Sequence, residues 1–216
     1  MAVVSSPEQS LSVEAGYDQW ASTYDTVQNA TRDLSAERFR LWADHFRGRE
    51  VLEMGCGTGI NTEVLAGWAA STTAIDFSEG MLAEARRRVT APSVTFRRHD
   101  LTRPLPFPDA SFDTAVENLV LEHIRDVEAL FHEAARVLRP GGVLLMCELH
   151  PFRQAVGKQA RFSDGKGGET LIEAHLHTVG EYVNAAIDAG LRVVRIEEDG
   201  AEGEPPRLFS LVAVKG

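Results

Sequence analysis

The chain has 216 residues, of which 44% are hydrophobic and 25% are charged, a mixture typical of one globular domain with a sizeable core. Its formal net charge of −10 at pH 7 repels phosphate groups, so we expect no nucleic-acid partner. The two cysteines, Cys56 and Cys147, form neither a metal-type pair nor a disulfide framework, which fits a reducing compartment.

The sequence lacks the patterns typical of export or membrane insertion. Residues Met1 to Ser12 have neither the basic start nor the apolar stretch of a signal peptide. The longest apolar run, Val143 to Leu149, is far too short to cross a bilayer. We therefore expect a cytoplasmic protein without membrane association, present as a monomer or a homodimer.

In chain order, a polar tail at residues 1–12 is expected to be disordered, and two helical patterns follow between Val13 and Phe46. Strand and helix signals then alternate. Strands are predicted at Val51–Met54, Ser71–Ile75, Val94–Arg97, Phe112–Val116 and Val143–Glu148, and helices at Ile60–Ala70, Glu79–Val89 and Asp126–Leu138. The turn Pro140-Gly141-Gly142 reads as a stop signal before the fifth strand. This alternation predicts an α/β fold with a parallel sheet and helices on both faces.

The last part of the chain changes its rhythm. A helix is predicted over Thr178–Ala189, followed by strands at Leu191–Ile196 and Leu208–Val214. Two strands so close in sequence should pair antiparallel and close one edge of the sheet.

The first strand leads into a glycine-rich loop, Gly55-Cys56-Gly57-Thr58-Gly59. Glycine permits positive φ and a close approach of the backbone to a ligand. The third glycine comes one residue earlier than in a dinucleotide-binding loop, and Glu53 is expected to direct a negative charge toward the site. A ligand with an ammonium group, such as S-adenosylmethionine (SAM), suits this loop better than a diphosphate.

Two further carboxylates follow predicted strands. Asp76 ends the second strand about twenty positions after the glycine loop, where it can accept hydrogen bonds from both hydroxyls of a ribose. Asp100 ends the third strand, where it can accept a hydrogen bond from an adenine amino group; an ordinary turn residue is the alternative.

These motifs together resemble the class I SAM-dependent methyltransferases, in the small-molecule branch that includes the ubiquinone and menaquinone methylases. The resemblance covers about Tyr17 to Glu148 and rests on Glu53 to Gly59, Asp76-Phe77-Ser78 with Met81, Asp100-Leu101, Leu121-Glu122-His123-Ile124 and Arg136 to Gly142. It implies a Rossmann-like, seven-stranded, mostly parallel sheet with an antiparallel last strand. It also implies one domain over residues 13–216, with a helical lid at 13–46 and an acceptor-pocket insertion at 150–177.

The resemblance further implies which residues bind the cofactor. Gly55, Cys56, Gly57 and Gly59 would approach the methionine part of SAM, and Glu53 would face its ammonium group. Asp76 would hold the ribose, while Phe77, Met81, Asp100 and Leu101 would surround the adenine and Tyr17 would close over the methionine end. S-adenosylhomocysteine (SAH) would be the product, and no metal is expected.

The catalytic candidates are Glu117, His123 and His177. Glu117 follows the fourth strand, where it would attract the sulfonium, take a proton from the acceptor, or cap the next helix. His123 is a candidate base or a brace for the loop that contains it. A metal pair at His175 and His177 is the weaker interpretation, because no third ligand stands nearby in sequence.

For the acceptor, Trp20, Tyr24, His150 and His175 are candidate contacts, and the pocket segments lack a cluster of lysines or arginines. This composition favours a neutral or weakly charged small molecule, for example an aromatic heterocycle such as an indole, methylated on N, O or C. The alternatives are a SAM-binding sensor or assembly module without catalysis, and a nicotinamide oxidoreductase on a similar sheet.

Overall fold

A computed structural model describes residues 12–158, 160–163 and 169–216. The tail predicted at residues 1–12 therefore lies outside the described residues except for Ser12. The Ser12 hydroxyl accepts a hydrogen bond from the Ala15 N–H and caps the first helix.

The helices are α1 (Val13–Trp20), α2 (Ala30–Leu41), α3 (Ala43–Phe46), α4 (Ile60–Trp68), α5 (Glu79–Arg88), α6 (Val127–Val137), α7 (Pro151–Ala155) and α8 (Val179–Asp188). The strands are β1 (Glu50–Met54), β2 (Ser71–Asp76), β3 (Val94–Arg98), β4 (Phe112–Asn118), β5 (Leu138–Leu149), β6 (Arg161–Ser163), β7 (Glu169–Leu171), β8 (Leu191–Asp199) and β9 (Leu208–Lys215). Short 3-10 turns occur at Tyr24–Thr26 and Leu121–His123.

Seven of the strands form one sheet in the order β3-β2-β1-β4-β5-β9-β8. The first five are parallel to one another, whereas β9 runs antiparallel to both β5 and β8. The predicted α/β fold, with its seven-stranded, mostly parallel sheet and antiparallel last strand, is confirmed. The strand order reverses between β1 and β4, and the carboxyl ends that meet there are where α/β sheets bind ligands.

Both faces of the sheet are covered by helices, as predicted. One face packs against α6 and α8, with Phe131 and Tyr182 in its core. The other face packs against the N-terminal helices and α4, with Phe39, Phe46 and Leu65 fully buried. The two layers hold the strand ends rigid, and the loops that follow the strands build the site.

The turn Pro140-Gly141-Gly142, predicted to separate α6 from the fifth strand, lies inside β5 instead. Gly141 has φ +77°, and the pairing register shifts between Phe112 and Thr114 on the neighbouring strand. The chain therefore enters the sheet at Leu138, passes an irregularity that glycine permits, and continues as a regular strand from Val143.

The short pair β6–β7 lies in the insertion between β5 and α8 and was not predicted. In the part of the chain that the structure describes, no helix is both long and apolar enough to cross a membrane.

Candidate active site

A cavity of about 350 Å³ opens at the carboxyl ends of β1, β2, β3 and β4, beneath the N-terminal helices. The predicted cofactor residues Tyr17, Gly55, Cys56, Gly57, Asp76, Phe77, Met81, Asp100 and Leu101 line it, together with Tyr24 and His123. Most of the predicted cofactor set, spread over 85 positions of sequence, is thus brought together at one site.

Four N–H groups of the glycine loop, those of Gly55, Cys56, Gly57 and Gly59, already donate hydrogen bonds within the protein. The Gly55 and Cys56 N–H groups donate to the Ile75 carbonyl at 2.8 and 3.0 Å, and the Gly57 N–H donates to Oδ2 of Asp76 at 2.9 Å. The Gly59 N–H donates to the Cys56 carbonyl. Because these donors are occupied, the loop does not offer the cluster of free N–H groups with which a phosphate-binding loop holds its anion.

The three glycines have different roles, although all have positive φ. A Cβ added to Gly57 would meet no atom within 4 Å, so the backbone there leaves open space beside the cavity. A Cβ on Gly55 would lie 2.3 Å from the Val120 side chain, and one on Gly59 would lie 3.0 Å from Ala85. Gly59, which does not line the cavity, therefore serves the packing of α4 on α5.

Glu53 requires a correction. Its side chain is buried, does not line the cavity, and accepts a hydrogen bond from the Thr62 hydroxyl at 2.6 Å. Burial raises the pKa of Glu53 to about 8, so the carboxyl is mostly protonated at pH 7. The expected negative charge facing the ligand is wrong for this structure, and Glu53 instead joins β1 to α4. The occupied N–H groups of the loop, not Glu53, distinguish this site from a diphosphate site.

Asp76 and Asp100 do lie where carboxylates were predicted. Asp76 accepts the Gly57 N–H on Oδ2 and the Ser78 N–H on Oδ1, both at 2.9 Å, so each oxygen keeps a lone pair for a further donor. Burial raises the pKa of Asp76 to about 6. Oδ1 of Asp100 accepts from the main-chain N–H and hydroxyl of Thr102.

The N-terminal segment forms an aromatic wall over the cavity. The Tyr17 ring lies 6.0 Å from Trp20, 6.2 Å from Phe77 and 5.3 Å from His123 between ring centroids. Tyr24 also lines the cavity, whereas Trp20 packs behind it against Ile172. Of the two predicted acceptor aromatics, the structure places Tyr24 at the cavity and Trp20 in the support for it.

Polar contacts join this segment to the loops beneath it. Oδ1 of Asp18 accepts from the Ser78 hydroxyl at 2.5 Å and from the Gly80 N–H at 3.1 Å. Asp25 accepts from the Thr58 hydroxyl at 2.9 Å and pairs with Arg88. The segment therefore closes directly on the loops after β1 and β2.

His123 is the predicted base that reaches the cavity. Its Nδ1 lies 2.7 Å from the Glu173 carbonyl, which only accepts, so Nδ1 carries the proton. Nε2 lies 2.8 Å from the Tyr17 hydroxyl and accepts its hydrogen bond. The Nε2 lone pair therefore lies on the cavity side of the ring, where it accepts the hydrogen bond of the Tyr17 hydroxyl.

Glu117, His177, His150 and His175 do not line the cavity. Nε2 of His177 contacts the Ile124 carbonyl at 2.7 Å, and Nε2 of His150 contacts Glu198 at 2.9 Å. His175 lies 3.9 Å from Glu173. The expectation that these histidines meet the acceptor requires correction, because none of them lines the cavity and the rings of His150 and His177 are used in other hydrogen bonds.

Glu117 is buried, and the groups that act on its carboxyl are the neighbouring carboxyl of Glu148 and the backbone of Cys147. Burial, reinforced by the charge of Glu148, raises the pKa of Glu117 well above its ordinary value. Because Glu117 does not line the cavity, it is not placed to take a proton from an acceptor there, and the sequence-based preference for Glu117 as the base is not supported.

Sequence reasoning missed several lining residues, among them Arg32, Asn61, His99, Asn118 and Val120. Arg32 is the informative omission. Its guanidinium donates to the Tyr24 and Val27 carbonyls and stacks 4.2 Å from the Tyr24 ring centroid. Its signal in the sequence is a single cation at the start of a helical pattern, which does not stand out from surface arginines.

Comparison with known proteins decides the family. A methyltransferase-domain model matches residues 52–146. A methyltransferase of Emericella nidulans described as uncharacterised is 33% identical over 224 aligned residues, covering 86% of this chain and 77% of that protein. The chain belongs to the class I SAM-dependent methyltransferases. The resemblance inferred from the motifs is confirmed.

Other methyltransferases match over shorter stretches. The demethylmenaquinone methyltransferase of Tropheryma whipplei is 43% identical over 109 residues, which cover 49% of this chain and 44% of that protein. The match thus extends over less than half of that relative's length, so the relative's own reaction is not carried over by the match.

Two solved structures share the fold along nearly the whole chain. A complex of DhpI with SAH has a TM-score of 0.75 at 26% identity, covering 94% of this chain and 95% of DhpI. The [4+2]-cyclase SpnF has a TM-score of 0.74 at 20% identity and 97% coverage of both chains. The second likeness shows the fold alone, and it shows that this fold also serves a reaction other than methyl transfer.

Proposed function

We propose that the protein transfers the methyl group of SAM to a small-molecule acceptor that enters the cavity beside His123. The observation that carries the proposal is the distribution of charge in the cavity. Asp76 and Asp100 stand at the carboxyl ends of β2 and β3. Arg32 belongs to α2, which contacts the end of β4 through the hydrogen bond from the Asn118 amide to the Ser35 hydroxyl. The helix that carries the positive charge therefore meets the sheet two strand spacings, about 10 Å, from the strand that ends in Asp76.

SAM fits this distribution. It carries a ribose with two hydroxyl donors, an adenine and a zwitterionic methionine end, and when bound it supplies an electrophilic methyl group on a sulfonium. Asp76 would accept from the ribose hydroxyls, Met81 and Phe77 would pack on the adenine, and Asp100 and Leu101 would meet the adenine edge. Arg32 would pair with the methionine carboxylate, because among the described residues its guanidinium has carbonyl but no carboxylate partners.

The aromatic wall would stabilise the sulfonium. Tyr17 and Tyr24 both line the cavity, and an aromatic face near a desolvated cation contributes about 1–2 kcal/mol. Gly55 and Gly57 would let the backbone approach the methionine chain without steric conflict. The family membership and these groups together support SAM as the cofactor and SAH as the product.

His123 is the base that we propose for an acceptor carrying an O–H or N–H. Nε2 bears the lone pair, and the Glu173 carbonyl holds the opposite nitrogen in its protonated form. An acceptor that displaces the Tyr17 hydroxyl from Nε2 would place its own proton there. Base assistance of this kind contributes about a hundredfold or more in rate, and positioning of the two reactants contributes the larger share.

The acceptor that we propose is a neutral, flat molecule such as an indole or a related aromatic heterocycle. Among the described residues, Arg32 is the one arginine or lysine that lines the cavity, and the cofactor would take it up; Tyr17, Tyr24 and Phe77 contribute aromatic rings to the wall. The names of several relatives point to quinone precursors, which are also flat and weakly charged, so both classes belong in an acceptor panel.

The test has two stages. Calorimetry with SAH should show saturable binding to the purified protein, and isotopically labelled SAM in a panel of heterocycles and quinone precursors should yield one methylated product. His123→Asn removes the bond to the Tyr17 hydroxyl, so it should weaken SAH affinity by no more than about fivefold, whereas it should lower turnover at saturating SAM about a hundredfold. His132→Asn, on the exposed side of α6, is the matched control and should keep wild-type turnover.

The outcomes separate the alternatives. SAH binding without any methylated product across the panel would favour the non-catalytic SAM-binding module. Binding of a reduced nicotinamide dinucleotide in place of SAH would contradict the proposal altogether.

A further inference from the structure

The loop after β4 forms the wall of the cavity between the glycine loop and His123. Leu119 adopts φ +59°, an unusual conformation for a residue with a side chain. Val120 packs so closely on Gly55 that a Cβ there would lie 2.3 Å from it. The loop must therefore be held in place by something that offsets the backbone strain.

Glu148, near the end of β5, supplies that restraint. Its Oε1 accepts hydrogen bonds from the Val120 N–H at 2.6 Å and from the Leu121 N–H at 2.7 Å. The side chain is completely buried. Two N–H donors on one carboxylate oxygen form short, charge-assisted bonds, and their strength depends on the carboxylate being ionised.

The remaining oxygen of Glu148 faces another acid. Oε2 of Glu148 receives no N–H or O–H donor from the other described groups, and beside Glu148 the Glu117 carboxyl has the backbone of Cys147 as a neighbour. The two carboxyls are close enough to interact directly, since each shifts the pKa of the other. Two carboxylates in such contact share one proton, because both cannot be ionised together. The proton belongs to Glu117, since Glu148 already accepts two N–H bonds.

We propose that Glu148 is a positioning residue of the cofactor site, whose carboxylate holds the loop Leu119–His123 against Gly55, and that the protonated Glu117 carboxyl supports it as a hydrogen-bond donor. This inference rests on the proposed function in one respect, which is that SAM or SAH occupies the cavity. It assigns Glu117 a role opposite to that of a base.

The surroundings set the pH range in which the restraint operates. The titratable groups that act on Glu148 and its partner Glu117 are Glu122 on the 3-10 turn, Tyr17 on α1, Cys147 on β5 and Tyr182 on α8. Burial raises the pKa of Glu148 to about 7, although the bonds from Glu117, Leu121 and Val120 oppose the shift. The loop is held firmly above pH 7 and loosens as Glu148 takes up a proton below it.

Stability responds in the opposite direction. The unfolded carboxyl titrates near its ordinary value, so between about pH 4.5 and 7 the folded state binds more protons than the unfolded state. The contribution of Glu148 to unfolding free energy therefore falls as pH rises through this window, while cofactor affinity rises. If Glu148 only stabilised the fold, the unfolding free energy and the cofactor affinity would not change in opposite directions with pH.

The experiment compares SAH affinity of the wild type with that of Glu148→Gln at two pH values. Gln resembles the protonated acid in shape and charge. At pH 8 the variant should bind SAH about tenfold more weakly, the loss expected for charge-assisted bonds. At pH 6 the wild type is itself about nine-tenths protonated at Glu148, so the ratio should fall to about twofold. Titrating groups that are not coupled to Glu148 are common to both proteins and cancel in the ratio, and the Glu117 variants report on its coupled partner.

Glu117 supplies a second arm. Glu117→Gln keeps an N–H donor for Glu148 and should retain SAH affinity at pH 8 within about twofold. Glu117→Leu removes the donor and should move the pH at which affinity is half-maximal upward. Ser210→Ala, a buried change on β9 outside the cavity lining, is the control and should leave the pH dependence unchanged.

Amide NMR signals of Val120 and Leu121 report on the loop directly. They should titrate near pH 7 in the wild type without ligand and stay flat in Glu148→Gln. A ratio of SAH affinities that is the same at pH 6 and pH 8, or flat amide signals in the wild type, would overturn the inference. Absence of SAH binding at every pH, with the amide titration intact, would instead count against the proposed cofactor.

Discussion

The Tyr17 hydroxyl donates a hydrogen bond to Nε2 of His123 across 2.8 Å, joining α1 to the turn after β4 over 106 positions of sequence. Because the Glu173 carbonyl fixes the other ring nitrogen, the imidazole has one orientation and one tautomer. Nε2 of His123 is the nitrogen that would accept a proton from the acceptor. The Tyr17 hydroxyl of α1 therefore occupies it until the acceptor displaces that hydroxyl.

Removing that hydroxyl tests the closure of the lid. Tyr17→Phe should weaken SAH binding by about 1 kcal/mol, or roughly fivefold in Kd, the usual worth of one neutral hydrogen bond. Calorimetry at pH 8 gives the value. Tyr182→Phe is the matched control, since the buried Tyr182 hydroxyl has no hydrogen-bond partner among the described residues, and it should leave Kd unchanged. Equal effects of the two changes would contradict the role given to Tyr17.

The contact between Asp25 and Thr58 should govern the rate at which ligand leaves. Asp25→Asn weakens both the bond from the Thr58 hydroxyl and the ion pair with Arg88, which is partly exposed and worth little on its own. We expect the dissociation rate of SAH to rise about threefold with little change in unfolding free energy. Stopped-flow tryptophan fluorescence measures it, because Trp20 lies in the lid. Glu79→Gln, which breaks an exposed pair with Arg86, should leave the rate as it was.

The raised pKa of Asp76 predicts weaker cofactor binding in acid. Its pKa of about 6 means that it takes up a proton as pH falls through 6 and then accepts less strongly from ribose hydroxyls. In the Glu148→Gln background, where Glu148 no longer titrates, Kd for SAH should rise roughly threefold to tenfold between pH 7 and pH 5.

The folded pKa of Asp76 lies above its ordinary value, so its contribution to unfolding free energy falls as pH rises from about 4 to 6. Loss of affinity in acid is therefore not caused by this group unfolding the protein. A Kd for SAH that does not change over this pH range would show that binding of the ribose does not depend on the ionised form of Asp76.

Gly59 should be sensitive to a single methyl group. It has φ +82°, and an added Cβ would lie 3.0 Å from Ala85. Gly59→Ala should lower the unfolding free energy by about 1–3 kcal/mol, measured by urea denaturation. Gly67→Ala is the control on the same helix, where a Cβ meets nothing within 4 Å; it should raise stability by roughly 0.5–1 kcal/mol. If Gly59→Ala left the unfolding free energy unchanged, α4 and α5 would be able to move apart at little cost.

The order of elements was predictable because local signals agree with the global fold. Alternating strands and helices set the parallel sheet, and Ser78 and Thr178 cap their helices as such residues should. The glycine loop and Asp76 were predictable for a related reason, since strand ends of a parallel sheet meet at one edge.

What escaped prediction depends on direction and burial, which a single sequence does not encode. Glu53 and Glu117 lie next to ligand-facing positions, yet both point into the interior and are neutralised there. Arg32 carries no motif, because a single arginine near the start of a helix is common on a solvated surface. The pairing of Glu117 with Glu148 arises from two neighbouring strands separated by a whole helix, and only the register of β4 on β5 brings them together.

Residues 12–26 rest on four neighbouring strand ends of the sheet: Glu14 on Arg98 at the end of β3, Asp18 on the loop after β2, Asp25 on the loop after β1, and Tyr17 on the turn after β4. Each attachment consists of one or two polar contacts, and the Trp20 side chain packs against Ile172 apart from the two apolar layers that cover the sheet. The segment can therefore peel away attachment by attachment, at a low free-energy cost, while the sheet beneath keeps its shape. Entry of the donor and escape of its spent form would then proceed as a surface fluctuation of the molecule and not as a rearrangement of its scaffold.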